Sequence, residues 1–443
     1  MKNITTLSFI TIIFLGFTGC GGSSPSSSSS GTVQGTAYLA FSPDTSKRLD
    51  VLYKTDGTTS NTLEISNAML PSNPSQYEYE LLNDFLIYGN NLYTDRVQKR
   101  NNCLFFCIER EQMITNLSSG TTNPMALKTS SSLGNIKNAI LKRYITSNGM
   151  YMSHKDLSSS YTLEKYNISS ITATGIISTI PISSTYSPNV LTGHVQVNED
   201  IYYAAKDYSS PNITLPSTYG LLKLDTNTNV VSEIVSARGL QLSNMSYLNG
   251  KIYAQALTDT SGGLYMYDPT TPNTPPSSIV NYQEVPSHSQ VINGKLYYLA
   301  STISGARTLY ELDPNNGNSI TAHANVIHPS YFKNIFTYNG LIYYNDGSTL
   351  RKLDGTQVVA LPDGEVYEAN GKLYFAGSGN NGIELFQYDG TTVSMVLDIN
   401  SGAGDSIPRH ITELNGAIVF QASPDGVNNK LYKYDGSTLS LLN

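Results

Sequence analysis

The chain has 443 residues, of which only 14% are charged, and a net charge of -7 with no basic block, so nucleic acid is excluded as an expected partner. It is rich in Tyr, Ser, Thr, Asn and Gly and contains no Trp, a composition of strands and tight turns rather than of long helices. Long apolar segments with a 3.6-residue period are missing, which makes an all-β fold the expectation.

In chain order, Lys2 is followed by the mostly apolar stretch Ile4 to Phe17. That is shorter than the roughly 20 residues needed to span a bilayer and suits a signal-peptide core, so residues 1–19 are read as a targeting segment. The run Phe17-Thr18-Gly19-Cys20 resembles the lipobox of bacterial lipoproteins. The resemblance implies acylation of Cys20, which would become the first mature residue, and Gly21 in place of Asp favours the outer membrane over the inner. Residues 20–31 continue with glycines, serines and one proline, a composition that behaves as flexible coil and cannot bury a core. They read as a tether with a root-mean-square span of roughly 17 to 20 Å. The expected address is the bacterial envelope, with the membrane reached through lipid.

Residues 32–443 form a single repeat-built domain. An element Asn-Gly-x-apolar-Tyr stands at Asn249, Asn293, Asn339 and Asn370, and Asn415-Gly416-Ala417-Ile418-Val419 closes the series. Weaker copies at Gln34, Asn90, Asn148 and Asn198 bring the units to nine. Asn-Gly between apolar runs is the strongest short hairpin signal, because both central residues of a type I′ turn need positive φ. Each copy is followed by Leu-x-x-x-Asp or Asn, from Leu52 to Asp56 through Leu431 to Asp435, with Leu104 to Ile108 filling that place in the second unit. Two turns of this kind per unit, with a period of about 46 residues, give four short antiparallel strands.

Ile383-Glu384-Leu385-Phe386-Gln387-Tyr388-Asp389-Gly390-Thr391 is similar to ELWxxDGT-type propeller repeats, as is Val51-Leu52-Tyr53-Lys54-Thr55-Asp56-Gly57-Thr58. The resemblance, shared with kelch-type repeats, implies a β-propeller of four-stranded antiparallel blades, eight or nine in number; a β-solenoid and a pair of sandwiches are the rival folds. Either the unit from Asn339 to Ala369 or the first unit is the candidate for an incomplete blade.

Cys103 and Cys107 remain after maturation, and export permits a disulfide between them. In one continuous strand their Cα atoms would lie about 13 Å apart, beyond the roughly 7 Å that a disulfide bridges, so a bond requires a bulge or turn at Leu104 to Phe106. The six histidines show no metal-ligand spacing; His323 and His328 differ by five and so would point to opposite faces of a strand. No metal and no cofactor are expected. Asp313-Pro314-Asn315-Asn316-Gly317 hints at calcium-loop spacing but lacks the later bidentate acid, which favours an ordinary turn. Arg96, Lys99 and Arg100 are placed at a hairpin tip as a solvated basic trio.

If the tight Asn-Gly and Asp-Gly turns share one rim, the opposite rim carries the variable loops, the usual home of function on a rigid scaffold. The loop from Lys206 to Tyr219, with Tyr208, Pro211 and Tyr219, is the first candidate for contact. Sialidase-like and quinone-dependent propeller motifs need Trp and are absent. The expectation is a non-enzymatic platform for an envelope protein or a surface polysaccharide; the alternative is a glycan hydrolase or lyase in the central funnel.

Overall fold

The computed structural model describes residues 35–443 except 42, 44–50, 67–76, 89–90, 101–107, 120–121, 125–139, 158–163, 172–176, 181–192, 208–217, 239, 258–261, 283–286, 302–306, 324–325, 327–333, 347 and 363–365. The described strands make nine antiparallel sheets in which every strand pairs with its neighbour in the chain. Eight sheets have four strands, denoted a to d in chain order, and sheet 1 has three, Ala37–Phe41, Val51–Thr55 and Leu63–Ser66. The fold is an all-β propeller.

Repeat phase identifies the three strands of sheet 1. Gly35, at φ 89°, occupies the glycine place of the a–b turn, so Ala37–Phe41 is strand b and the incomplete blade is the first. The unit from Asn339 instead closes a full sheet from Asn334–Tyr338, Leu341–Asn345, Thr349–Lys352 and Gln357–Ala360.

The turns form for local reasons. Asn249 and Gly250 have φ 48° and 77°, Asn339 and Gly340 48° and 73°, and Asn415 and Gly416 53° and 76°, the paired positive angles of a type I′ hairpin. At the c–d end an Asp oxygen accepts from the backbone two or three residues on, as Asp389 does from Thr391 N and Thr392 N at 2.8 Å and Asp435 from Thr438 N at 2.7 Å. In the second unit this role falls to Asn116, whose Oδ1 accepts from Ser118 N and Ser119 N. Strand c of that sheet is therefore Ile108–Asn116, and the assignment of Leu104 to Ile108 to that place is corrected: the turn residue is Asn116, and Gln112 stands where the repeat has Leu.

The basic trio is also relocated. Arg96, Lys99 and Arg100 lie within strand b of sheet 2, Asn91–Arg100, with Arg96 paired to Leu82 and to Glu111. Strands of 12 and 10 residues continue the hairpin where a tip was expected. Asp313 to Gly317 forms a capped turn, Asp313 Oδ1 accepting from Asn315 N at 2.9 Å and Gly317 taking φ 61°.

Apolar side chains of strands a to c fill the spaces between facing sheets. Val195, Tyr202 and Leu221 of sheet 4 meet Leu242, Ile252 and Ala254 of sheet 5, and Tyr374 and Leu385 of sheet 8 meet Ile418, Phe420 and Tyr432 of sheet 9. Polar groups knit the tight-turn rim sideways. Asn249 Nδ2 donates to Asn315 Oδ1 of the next sheet at 3.2 Å, Asn370 Nδ2 to the Gly416 carbonyl at 2.9 Å, and Tyr253 OH to Asn318 Oδ1 at 2.8 Å. The phenols reach partners outside their own sheet, as buried Tyr hydroxyls require. The ring closes by packing of sheet 9 on sheet 1: Phe41 sits with Leu414, Val419 and Leu442, while Lys433 Nζ donates to the Gly57 carbonyl.

Candidate functional site: the axial mouth and the variable rim

Strand a of each complete sheet is the inner one, and neighbouring inner strands touch. Ser246 Oγ and Ser289 Oγ are 3.2 Å apart, Ser289 Oγ donates to the Asn244 carbonyl at 3.1 Å, and Ile335 N donates to Gln290 Oε1 at 3.3 Å. These contacts join sheets 5, 6 and 7 along their inner strands, whose starts, remote from the Asn-Gly turns, are where the axis opens on the variable rim.

Here four inner strands carry the same irregularity. Two residues bulge against one at Asp84-Phe85, Asn244-Met245, His288-Ser289 and His410-Ile411. The first residue of each bulge is polar. Bulges re-aim side chains and are common beside active sites. Asn244 has φ 41° and His410 φ 53°, a region uncommon for residues other than glycine and one that the surrounding structure must enforce.

Strand b supplies a buried amide at the same level. Gln255, Asn345 and Gln421, each six residues after the turn Asn, are fully or almost fully buried. Gln255 Oε1 accepts from Asn244 Nδ2 at 2.5 Å, while its Nε2 is buried with no hydrogen-bond partner among the described residues. Gln421 pairs in register with Arg409, next to His410. Amides, hydroxyls and an imidazole at one mouth can exchange hydrogen bonds with a hydroxyl-rich ligand.

The rim beside His410 is stiffly built. The buried carboxylate of Glu384 accepts from Ile399 N at 2.8 Å, Asn400 N at 3.3 Å and Ser406 Oγ at 2.6 Å. Burial pushes its pKa up, against the lowering effect of these donors. Ile407, at φ 46°, is held by its N–H to the Ile383 carbonyl at 3.1 Å, and Ser423 N reaches the Ser406 carbonyl at 2.8 Å. A β-branched residue in this region is strained by about 1–3 kcal/mol, which these bonds must outweigh. In the adjoining loop Asp425 accepts from Val427 N and Asn428 N, placing Val427 at an exposed tip.

Of the side chains expected at the site, Tyr208 and Pro211 lie outside the described residues, as do Cys20, Cys103, Cys107 and His328. Tyr219 is in strand c of sheet 4, Thr218–Asp225, paired with Lys206 and Ala237, so it belongs to the sheet rather than to the loop. The loop is shorter than expected because the hairpin ladder continues to Asp207 and Thr218.

His323 stands away from the mouth, in a cluster with Glu311 of its own sheet. Glu311 Oε2 accepts from Tyr297 OH at 2.9 Å and lies 3.2 Å from His323 Nε2, and Lys295 pairs with the other oxygen. Burial raises the Glu311 pKa, but Lys295, Tyr297 and His323 outweigh it and hold the carboxyl below its usual range. Among the described residues no three His, Cys, Asp or Glu side chains gather as metal ligands, and no helix is long and apolar enough to cross a membrane.

The mouth was missed from sequence because a bulge is a property of two paired strands. Its local trace is weak, because polar residues recur along these inner strands, as in Gln241–Leu248 and Ser287–Ile292, and do not single out the bulged one.

These features define the class: a β-propeller with a polar axial mouth. No family model matches the chain, and no curated protein matches it. Solved structures with a similar strand arrangement include the β-propeller domain of the trilobed protease from Pyrococcus furiosus, at 11% identity and TM-score 0.40 over 83% of this chain and 96% of that one. Oligogalacturonate lyase from Vibrio parahaemolyticus is similar at 11% identity and TM-score 0.42, over 90% and 96%. A prolyl endopeptidase is similar at 10% identity and TM-score 0.46, over 79% of this chain and 55% of its own, so this chain spans about half of that enzyme.

Proposed function

We propose that the protein is an envelope lipoprotein, anchored through Cys20, whose propeller binds a surface polysaccharide at the axial mouth. The observation that carries the binding reading is the repeated bulge, which sets a polar residue at one level of four inner strands. The anchor rests on the sequence from Phe17 to Gly31. An envelope protein as partner would use the same rim.

The second reading is a hydrolase or lyase acting on glycan at the same place. It is favoured by His410, an imidazole on a constrained backbone beside a buried amide, since imidazole is the commonest general acid or base. One experiment addresses both. Purified protein is titrated with envelope polysaccharides, and bound glycan and newly formed reducing or unsaturated ends are measured. Saturable binding that falls about tenfold in an Asn244→Gly, His410→Gly double variant, with no new ends, supports the platform. Accumulation of ends establishes the enzyme. Unaltered binding by the double variant removes the site from the mouth.

A further inference from the structure

We infer that the protein presents its tight-turn rim to the bilayer and its axial mouth away from it. The inference rests on the anchor proposed above, together with the place where the chain enters the propeller.

That place is Gly35. A Cβ built on it would lie 3.7 Å from Asn415 Nδ2, and Asn415-Gly416 is the a–b turn of sheet 9. The entry point is thus on the tight-turn rim, level with the Asn-Gly turns. Between Cys20 and Gly35 stand 14 residues, and ten of the first eleven are Ser or Gly, a composition that as flexible coil would span about 20 Å. Strand b of sheet 9 has six residues, so the propeller measures about 20 Å from rim to rim. To lay the axial mouth on the bilayer, the tether would have to spend its whole span climbing the propeller wall. From the tight-turn rim it reaches lipid directly.

Charge agrees with a stand-off of this size. The tight-turn rim carries the exposed carboxylates of Asp56, Asp354, Asp389 and Asp435, each held ionised by hydrogen bonds from residues further along its turn. An anionic leaflet repels such a rim at contact, but the tether exceeds the screening length of about 8 Å at physiological salt. A rim that faces lipid without touching it needs a tether of this length.

The test uses the full lipidated chain in phospholipid vesicles. A clickable azido amino acid replaces Ser437, in the c–d turn of sheet 9, or Val427, at the b–c loop tip of the same sheet. Each is coupled to a donor dye, and energy transfer to a headgroup acceptor is measured. The two positions share a blade, so the comparison reads the rim and not the radius. At least twofold stronger transfer from position 437 is expected. Equal transfer, or stronger transfer from position 427, overturns the orientation while leaving the anchor in place. Vesicle flotation of the native chain and of Cys20→Ala separates the two readings. If Cys20→Ala floats as well as the native chain, or neither floats, the anchor falls and the orientation with it.

Discussion

Ser406 Oγ donates to Glu384 Oε2 at 2.6 Å, joining the connection between sheets 8 and 9 to a carboxylate with no solvent exposure. The backbone N–H of Ile399 donates to the same oxygen and that of Asn400 to Oε1. Glu384→Ala leaves all three donors unmatched inside the protein, at about 1–3 kcal/mol for each group that water cannot reach. A stability loss on the order of 3 kcal/mol is expected in urea unfolding. A loss below about 1 kcal/mol would show that the connection holds without its carboxylate.

The same residue gives a pH signature. Burial raises its folded pKa above the unfolded value, so the folded state binds a proton more readily. Its contribution is most favourable below the unfolded pKa and is lost as pH rises through the folded one. Relative to Glu384→Gln, the native protein is therefore expected to gain melting temperature as pH falls from neutrality to the ordinary glutamate range, about 4. A constant difference across that window would contradict the burial.

Asp389 behaves in the opposite sense. Hydrogen bonds from Thr392 N and Thr391 lower its pKa to about 2, so the stability it lends is present above the unfolded value and lost as pH falls through about 2. Its turn is expected to persist at pH 4, with the Thr392 amide resonance moving only near pH 2 in an NMR titration. In Asp389→Asn that movement should vanish.

Two glycines with similar φ should differ sharply. Gly416, at φ 76°, faces open space where a Cβ would go, so Gly416→Ala costs only the left-handed backbone penalty, about 1 kcal/mol. At Gly382, φ 82°, a Cβ would fall 2.3 Å from the Gly404 carbonyl oxygen, a backbone atom that yields only if the loop moves. Gly382→Ala is expected to cost about 3 kcal/mol or more and to alter the rim beside His410. Paired thermal melts read the contrast; equal shifts would place Gly404 elsewhere.

Tyr253 links two sheets through its hydroxyl and its ring. Tyr253→Phe keeps the buried ring and removes only the bond to Asn318 Oδ1, for an expected loss of about 1 kcal/mol. Chemical denaturation checks the value, and a loss above about 3 kcal/mol would indicate that the ring had also moved.

The propeller was legible in the sequence because its repeating elements are short-range. Asn249-Gly250 and Asp389-Gly390 fix their turns through φ preferences and hydrogen bonds within four residues, so their spacing reports the strands between them. The incomplete first blade was legible as one of two choices, decided by Gly35 and the absence of a fourth described strand. The end of strand c in the second unit was misplaced because Gln112, and not Leu, stands four residues before the capping Asn116, so the pattern pointed to Leu104 instead. The candidate site was largely illegible. The partnership of Asn244 with Gln255 depends on strand register, and that of Ser246 with Ser289 on how adjacent sheets approach.

Among the described residues, sheet 9 takes its four strands from the C-terminal end of the chain and sheet 1 its three from the first ones. The seam is therefore closed by side-chain packing and a few hydrogen bonds, Asn429 N to the Pro43 carbonyl among them, with no strand exchanged between the two sheets. Each blade is consequently complete as soon as its own stretch of chain is available. As the chain emerges, blades can condense one after another in order, and only the last event, docking of Phe420's sheet against Phe41, waits for the C-terminal residues. The seam is the final step of assembly and the natural first step of opening.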